Sequence, residues 1–280
     1  MVKKIRSRLF LMALVSLLVA PLSWSSPSPI PPGEAGAKAA LEKSPRHHEW
    51  VSIGVPGSDT KLSTFIAYPE RKDKAPVVIV IHEVYGLTDW VRAVADQLAG
   101  DGFIAIAPDL LSGKGPGGGG TDAFASRDDV VKAVRDLSPS QVVAMLDAVK
   151  GYGMGLPAAS PKFATVGFCW GGAQSFYYAT AQPDLGAAVV YYGTSPASEA
   201  LGGIHAPVLG LYGEDDARVT TTVEPAAEKM KELGKGYVTH LYKGAGHGFL
   251  RAQDERSGAN LEASRQAWPA TIEFLKKYVE

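Results

Sequence analysis

The chain has 280 residues, 46% hydrophobic and 20% charged, which suits one large globular domain and excludes a collagen-like repeat, a coiled coil and wholesale disorder. Its formal charge is −1, and Lys3, Lys4, Arg6 and Arg8 all precede the first acidic residue, Glu34, so the body beyond them carries about −5 and makes a poor partner for nucleic acid. A single cysteine, Cys169, rules out an intramolecular disulfide and an all-cysteine zinc site.

The chain opens with basic residues from Lys3 to Arg8, an apolar run from Leu9 to Leu22, and small polar residues at Ser23, Ser25 and Ser26. This order predicts a secretory signal peptide over residues 1–25, with cleavage near Ser25 or Ser26 and a periplasmic or secreted product. The apolar run is shorter than the roughly 20 residues a bilayer requires, so no stable membrane anchor is expected after processing. Residues 26–46 are rich in Pro, Gly and Ala, and no aromatic side chain occurs from Pro27 to Ala40. Without apolar surface to bury, this stretch is expected to be a linker. A single folded domain is expected over residues 47–280.

Within that domain, short β-branched or aromatic runs alternate with longer amphipathic stretches, the signature of a mostly parallel sheet covered by helices. Strands are predicted at Trp50–Val55, Leu62–Tyr68, Pro76–Ile81, Phe103–Ala107, Phe163–Phe168, Ala187–Tyr192, Val208–Tyr212 and Tyr237–Tyr242. The unbroken apolar run Val77–Ile81 belongs at the centre, where both faces are covered. Helices are predicted at Thr88–Leu98, Asp129–Asp136, Ser140–Gly151, Gly171–Ala181, Val223–Leu233 and Leu261–Tyr278. Ser138 stands three residues before Gln141, a pairing that satisfies the first free N–H groups of a helix. The glycine run within Ser112–Thr121 holds no single backbone geometry cheaply and is expected to be a mobile loop or lid edge. Its Gly113-Lys114 lacks the spacing of a phosphate-binding loop.

The chemistry concentrates at three places. Gly167-Phe168-Cys169-Trp170-Gly171-Gly172 lies between a predicted strand and helix and has the G-x-nucleophile-x-G pattern with Cys as nucleophile. Small flanking residues are required because such a nucleophile sits on a sharp, strained turn. The following helix start favours a thiolate and a developing oxyanion. A lone free cysteine is otherwise most often a buried small hydrophobe. Asp216 comes after the strand Val208–Tyr212, and His247 lies in the Gly-rich stretch after Tyr237–Tyr242. Both positions are C-terminal strand ends, where open α/β sheets build their sites. The order nucleophile, acid, histidine is that of the α/β-hydrolase fold. Asp215 and Glu214 remain alternatives to Asp216 as the histidine's partner.

With these motifs in place, the chain from about Trp50 to Val279 resembles the dienelactone hydrolase family. The resemblance rests on His82-Glu83-Val84-Tyr85-Gly86-Leu87, Ala107-Pro108-Asp109-Leu110, the Cys169 motif, Gly213-Glu214-Asp215-Asp216 and Gly246-His247-Gly248-Phe249-Leu250-Arg251. It implies an α/β-hydrolase fold with an eight-stranded, mostly parallel sheet, and a catalytic triad of Cys169, Asp216 and His247. It implies that Glu83 contacts the resting thiol and moves away when substrate binds, removing a charge that disfavours the thiolate. The residues alone also allow Glu83 to cap the helix beginning near Thr88. The resemblance further implies an oxyanion hole from the N–H groups of Val84 and Trp170, and a substrate carboxylate held by Arg127 and Arg251, with Arg135 and Arg92 as competitors for Arg127. A zinc site at His82-Glu83 is not expected, because there is no second histidine four residues later.

The resulting expectation is a monomeric hydrolase of a small ester or lactone that works through a thioester and needs no cofactor or metal. Retention of both arginines in the pocket would favour an anionic lactone. An arginine turned to solvent would favour a general esterase, thioesterase or peptidase. A catalytically silent ligand-binding protein on the same fold is the alternative from outside enzymology.

Overall fold

The computed structural model describes residues 29–280. The predicted signal peptide lies outside them. Eight strands form one sheet: β1 (His48–Gly54), β2 (Lys61–Ala67), β3 (Ala75–Ile81), β4 (Ile104–Pro108), β5 (Ala159–Phe168), β6 (Ala187–Tyr191), β7 (Val208–Gly213) and β8 (Tyr237–Tyr242). Their spatial order is β1-β2-β4-β3-β5-β6-β7-β8. β1 and β2 join antiparallel at one edge, and every pairing from β4 to β8 is parallel. All eight predicted strands are present, and β3 is buried along its whole length.

Alternation along β3 divides the core in two. Val78 and Val80 face a layer containing α2 (Asp89–Gly100) and α8 (Ala259–Val279), where Trp90 and Trp268 are fully enclosed. Val77, Ile79 and Ile81 face the opposite layer, which holds α3 (Arg127–Arg135), α4 (Pro139–Met154), α5 (Trp170–Ala181) and α7 (Val223–Glu232). Successive side chains of a strand point to opposite faces, so one apolar run serves both layers. At the start of α4, Ser138 accepts the Gln141 N–H while the Gln141 side chain accepts the Ser138 N–H, the reciprocal cap expected from the sequence. A short helix, α6 (Ala217–Thr220), comes after β7.

The expected linker is not one. Residues Glu34–Lys43 form a helix, α1, packed against α2 with Ala37 fully buried. Lack of aromatic bulk prevents this segment from building a core of its own, but its small side chains allow close approach to a neighbouring helix. Polar pins supply the rest. Trp90 Nε1 donates to Pro32 O at 3.1 Å, and Gln253 Nε2 donates to Pro31 O at 2.8 Å. Asp96 on α2 accepts from Ser44 Oγ at 2.6 Å and Arg46 Nε at 2.8 Å, and pairs with His48 Nε2 at 2.7 Å. Burial alone would raise the Asp96 carboxyl, but these partners hold it below its ordinary value.

The glycine run also has a fixed end. Asp109 accepts from Thr121 N at 2.7 Å and Thr121 Oγ1 at 2.8 Å, and Leu87 N donates to Thr121 Oγ1 at 3.0 Å. The loop is thereby fastened to the segment after β3 that carries Glu83 and Val84.

Candidate active site

Parallel strands place their C-terminal ends on one edge of the sheet, and the loops leaving β3, β5, β6, β7 and β8 converge there. Cys169 occupies the turn between β5 and α5 with φ +55° and ψ −117°, a conformation that L residues rarely adopt and that costs of order 1–3 kcal/mol. The flanking glycines make the turn feasible. A side-chain carbon on Gly171 would overlap the carbonyl oxygens of Ile81 and His82, and one on Gly167 would overlap the Gly171 carbonyl. Gly171→Ala is therefore expected to cost upwards of about 3 kcal/mol, lowering Tm by about 6–12 °C in a thermal melt. An unchanged Tm would show that the turn is not so tightly built.

The structure brings Cys169, His247 and Asp216 together. His247 Nδ1 lies 2.5 Å from Asp216 Oδ2, and the imidazole lines the same cavity as Cys169, close enough for the sulfur to act on its pKa. Burial would lower the histidine, but Asp216 and Cys169 outweigh it and push its pKa up to about 9. Glu214 and Asp215, the alternatives, point elsewhere: Glu214 accepts the Gly244 N–H, and Asp215 pairs with Arg256. Tyr192, just beyond β6, packs edge-on against His247 with ring centroids 5.2 Å apart. Its φ is +39°, and its buried hydroxyl has no partner among the described residues.

Around these groups lies a cavity of about 410 Å³, lined by Glu83, Val84, Tyr85, Cys169, Trp170, Tyr192, His247 and Arg251, with Arg135 and Arg218 at its exposed rim. Val84 and Trp170 both face it. As the first residue of α5, Trp170 has an N–H free of helical partners. His82 is fully buried, donating from Nδ1 to Glu83 O at 2.7 Å and accepting the Leu110 N–H on Nε2 at 3.3 Å. Burial lowers its pKa, so it is a neutral structural link between the loops after β3 and β4.

Two of the expected roles take a different form. Glu83 neither caps α2 nor hydrogen-bonds the thiol: its Oε2 accepts from Arg251 Nε at 2.8 Å, and its buried Oε1 has no partner among the described residues. Burial raises this carboxyl despite the neighbouring Arg251 and His247. Arg127 is absent from the cavity wall. Its half-exposed guanidinium pairs with Glu34 and stacks 4.0 Å from the Tyr85 ring centroid. The expectation that Arg127 reaches into the pocket fails because Glu34, on the helix α1 that stands where a linker is expected, draws it away. Its competitor Arg135 does reach the rim, whereas Arg92 pairs with Asp89 instead. Tyr192 and Arg218 join the cavity without having been expected from the sequence. The signal for Tyr192 is its place at the C-terminal end of a predicted strand, and that for Arg218 is its spacing two residues beyond Asp216.

A model of the "Dienelactone hydrolase family" matches residues 62–279. A Salmonella typhimurium protein named "Putative carboxymethylenebutenolidase" is 30% identical over 243 residues, covering 81% of this chain and 88% of its own. An Escherichia coli K12 protein of the same name is 29% identical, covering 80% of this chain and 85% of its own. Among solved structures, a "Putative Dienelactone Hydrolase" from Klebsiella pneumoniae superposes with a TM-score of 0.71 at 27% identity, covering 83% of this chain and all of that one. The match runs through nearly the whole sheet and every loop that reaches the cavity, and by it the chain belongs to the dienelactone hydrolase family and is an ester or lactone hydrolase.

Proposed function

We propose that Cys169, His247 and Asp216 form a catalytic triad that cleaves a carboxylic ester or lactone through a thioester. The observation that carries this reading is the hydrogen-bonded pair Asp216–His247 facing one cavity with Cys169, which is held on a strained turn. Each member has a separate task. Asp216 orients the imidazole and stabilises its cationic form, and His247 takes the thiol proton as the sulfur attacks. The thiolate attacks the ester carbonyl carbon, and the carbonyl oxygen becomes an oxyanion facing the N–H groups of Val84 and Trp170. When the C–O bond breaks, His247 gives its proton to the departing alcohol. Water then attacks the thioester with His247 as base, and the acid leaves as the thiol is restored.

Glu83 contributes electrostatically. Held on Arg251 beside the cavity, it remains close enough to influence His247 without binding the sulfur. The silent binding-protein reading has no observation of its own, since a pocket for capture alone does not require a strained cysteine beside a histidine–aspartate pair.

The test is hydrolysis of a dienelactone and a neutral aryl ester, followed by acid quench and mass spectrometry of the intact protein. A transient acyl adduct on Cys169 is expected with at least one substrate. Turnover with no adduct at any time and no burst of alcohol release would point to direct attack by water. We also propose export of the mature protein, on the order of charges and apolar residues in 1–25. N-terminal sequencing after cell fractionation is expected to find the chain outside the cytoplasm, beginning near residue 26.

A further inference from the structure

Arg251 faces the same cavity as the triad and is the least exposed of the three arginines that line it. An open guanidinium there would draw esters bearing a carboxylate. It is not open. Nε donates to Glu83 at 2.8 Å and Nη1 donates to Glu34 at 2.5 Å, so two of its three nitrogens are already committed to carboxylates. The other oxygen of Glu34 holds Arg127, and the Tyr85 ring lies against both guanidiniums, its centroid 4.0 Å from Arg127 and 5.3 Å from Arg251. Glu34, bridging the two arginines, thus takes up the Nη1 edge of Arg251 that a substrate carboxylate would need.

We propose that Glu34 is a specificity-determining residue: as a built-in carboxylate it fills the anion-binding edge of Arg251, so the pocket selects esters whose acyl part is uncharged. This rests on the hydrolase reading above and names its substrate class. A second carboxylate approaching Arg251 would have to displace Glu34 or sit beside both Glu34 and Glu83, and like charges at that spacing repel. Partial burial would raise the Glu34 carboxyl, but its two arginine partners keep it below the ordinary range, so it remains charged wherever the triad works. Arg135 and Arg218 do not restore the selection. Both are exposed at the rim, where water and salt screen them.

The position of Glu34 does not depend on its own carboxylate. Its N–H donates to Arg251 O at 2.9 Å, and the segment is held independently through Pro31, Pro32 and the Asp96 cluster. Changing the charge should therefore leave α1 docked.

The experiment compares kcat/KM of wild type, Glu34→Gln and Glu34→Ala for phenyl heptanoate and monophenyl adipate, two esters of similar length differing by one terminal carboxylate. Wild type is expected to prefer the heptanoate, and both variants to raise the adipate-to-heptanoate ratio by about tenfold, mainly through KM for the adipate. A wild-type preference for the adipate, or a ratio that moves less than twofold in both variants, would overturn the proposal. If wild type cleaves neither ester, the hydrolase reading fails separately, and Glu34 is tested by binding. Adipate should then raise the Tm of Glu34→Ala and not that of wild type, and equal shifts in the two proteins would overturn it.

Discussion

Cys169→Ala is expected to abolish ester turnover, with a fall in kcat/KM of at least about 10⁴-fold. The chain has no second cysteine to take over, and His247 and Asp216 are aligned on this sulfur alone. The loss should be chemical and not structural. Alanine keeps the Cβ that the turn already accommodates, and the cysteine side chain is only partly buried, so Tm should stay within a few degrees of wild type. Measured side by side, a dead enzyme with a normal melt assigns the nucleophile, whereas retention of more than about 1% of the rate would assign it elsewhere. Cys169→Ser is the sharper companion. Serine reproduces the geometry, but a hydroxyl gives up its proton to His247 far less readily than a thiol, and a fall of at least ~10²-fold is expected.

The second large effect concerns Asp216→Asn, for which a fall of about 10³–10⁴-fold in kcat is expected together with a displaced pH profile. In wild type the pKa of His247 is pushed up to about 9, so the alkaline limb of kcat/KM should lie near there, where the Cys169–His247 pair loses the proton destined for the leaving alcohol. Asparagine removes the charge that sustains this cation. Burial, which opposes it, then has more weight, and the limb must move to lower pH. Movement of the limb upward, or no movement, would show that Asp216 does not set the imidazole's proton affinity. A merely structural role would lower the rate without displacing the limb.

What is legible in the sequence divides along the range of the forces involved. The parallel strands can be read because a strand covered on both faces needs an uninterrupted apolar run, as Val77–Ile81 shows, and that demand is local. Cys169, Asp216 and His247 can be located for a similar reason: each lies within a few residues of a strand end, and the glycines around Cys169 record the closeness of the turn. α1 cannot be read. Its own side chains contribute one buried alanine, while its fixation comes from Trp90, Asp96, Arg251 and Gln253, residues distant in the chain whose approach is a result of folding. The misplacement of Arg127 has the same origin, since its position is set by Glu34. Tyr192 and Arg218 lack any local motif and become part of the site through the parallel alignment of β6 and β7.

The single thiol also sets how this protein ages. Oxidation of Cys169 by a peroxide would give a sulfenic acid at the cavity floor, and enzymes that survive such oxidation commonly trap it as a disulfide with a resolving cysteine. No other sulfhydryl exists anywhere in the 280 residues to play that part. A sulfenate here is rescued only by a small thiol diffusing in through the mouth, or it proceeds to the irreversible sulfinic acid. The same solitude is an analytical convenience: one equivalent of a thiol reagent counts the nucleophiles, with no background from the rest of the chain.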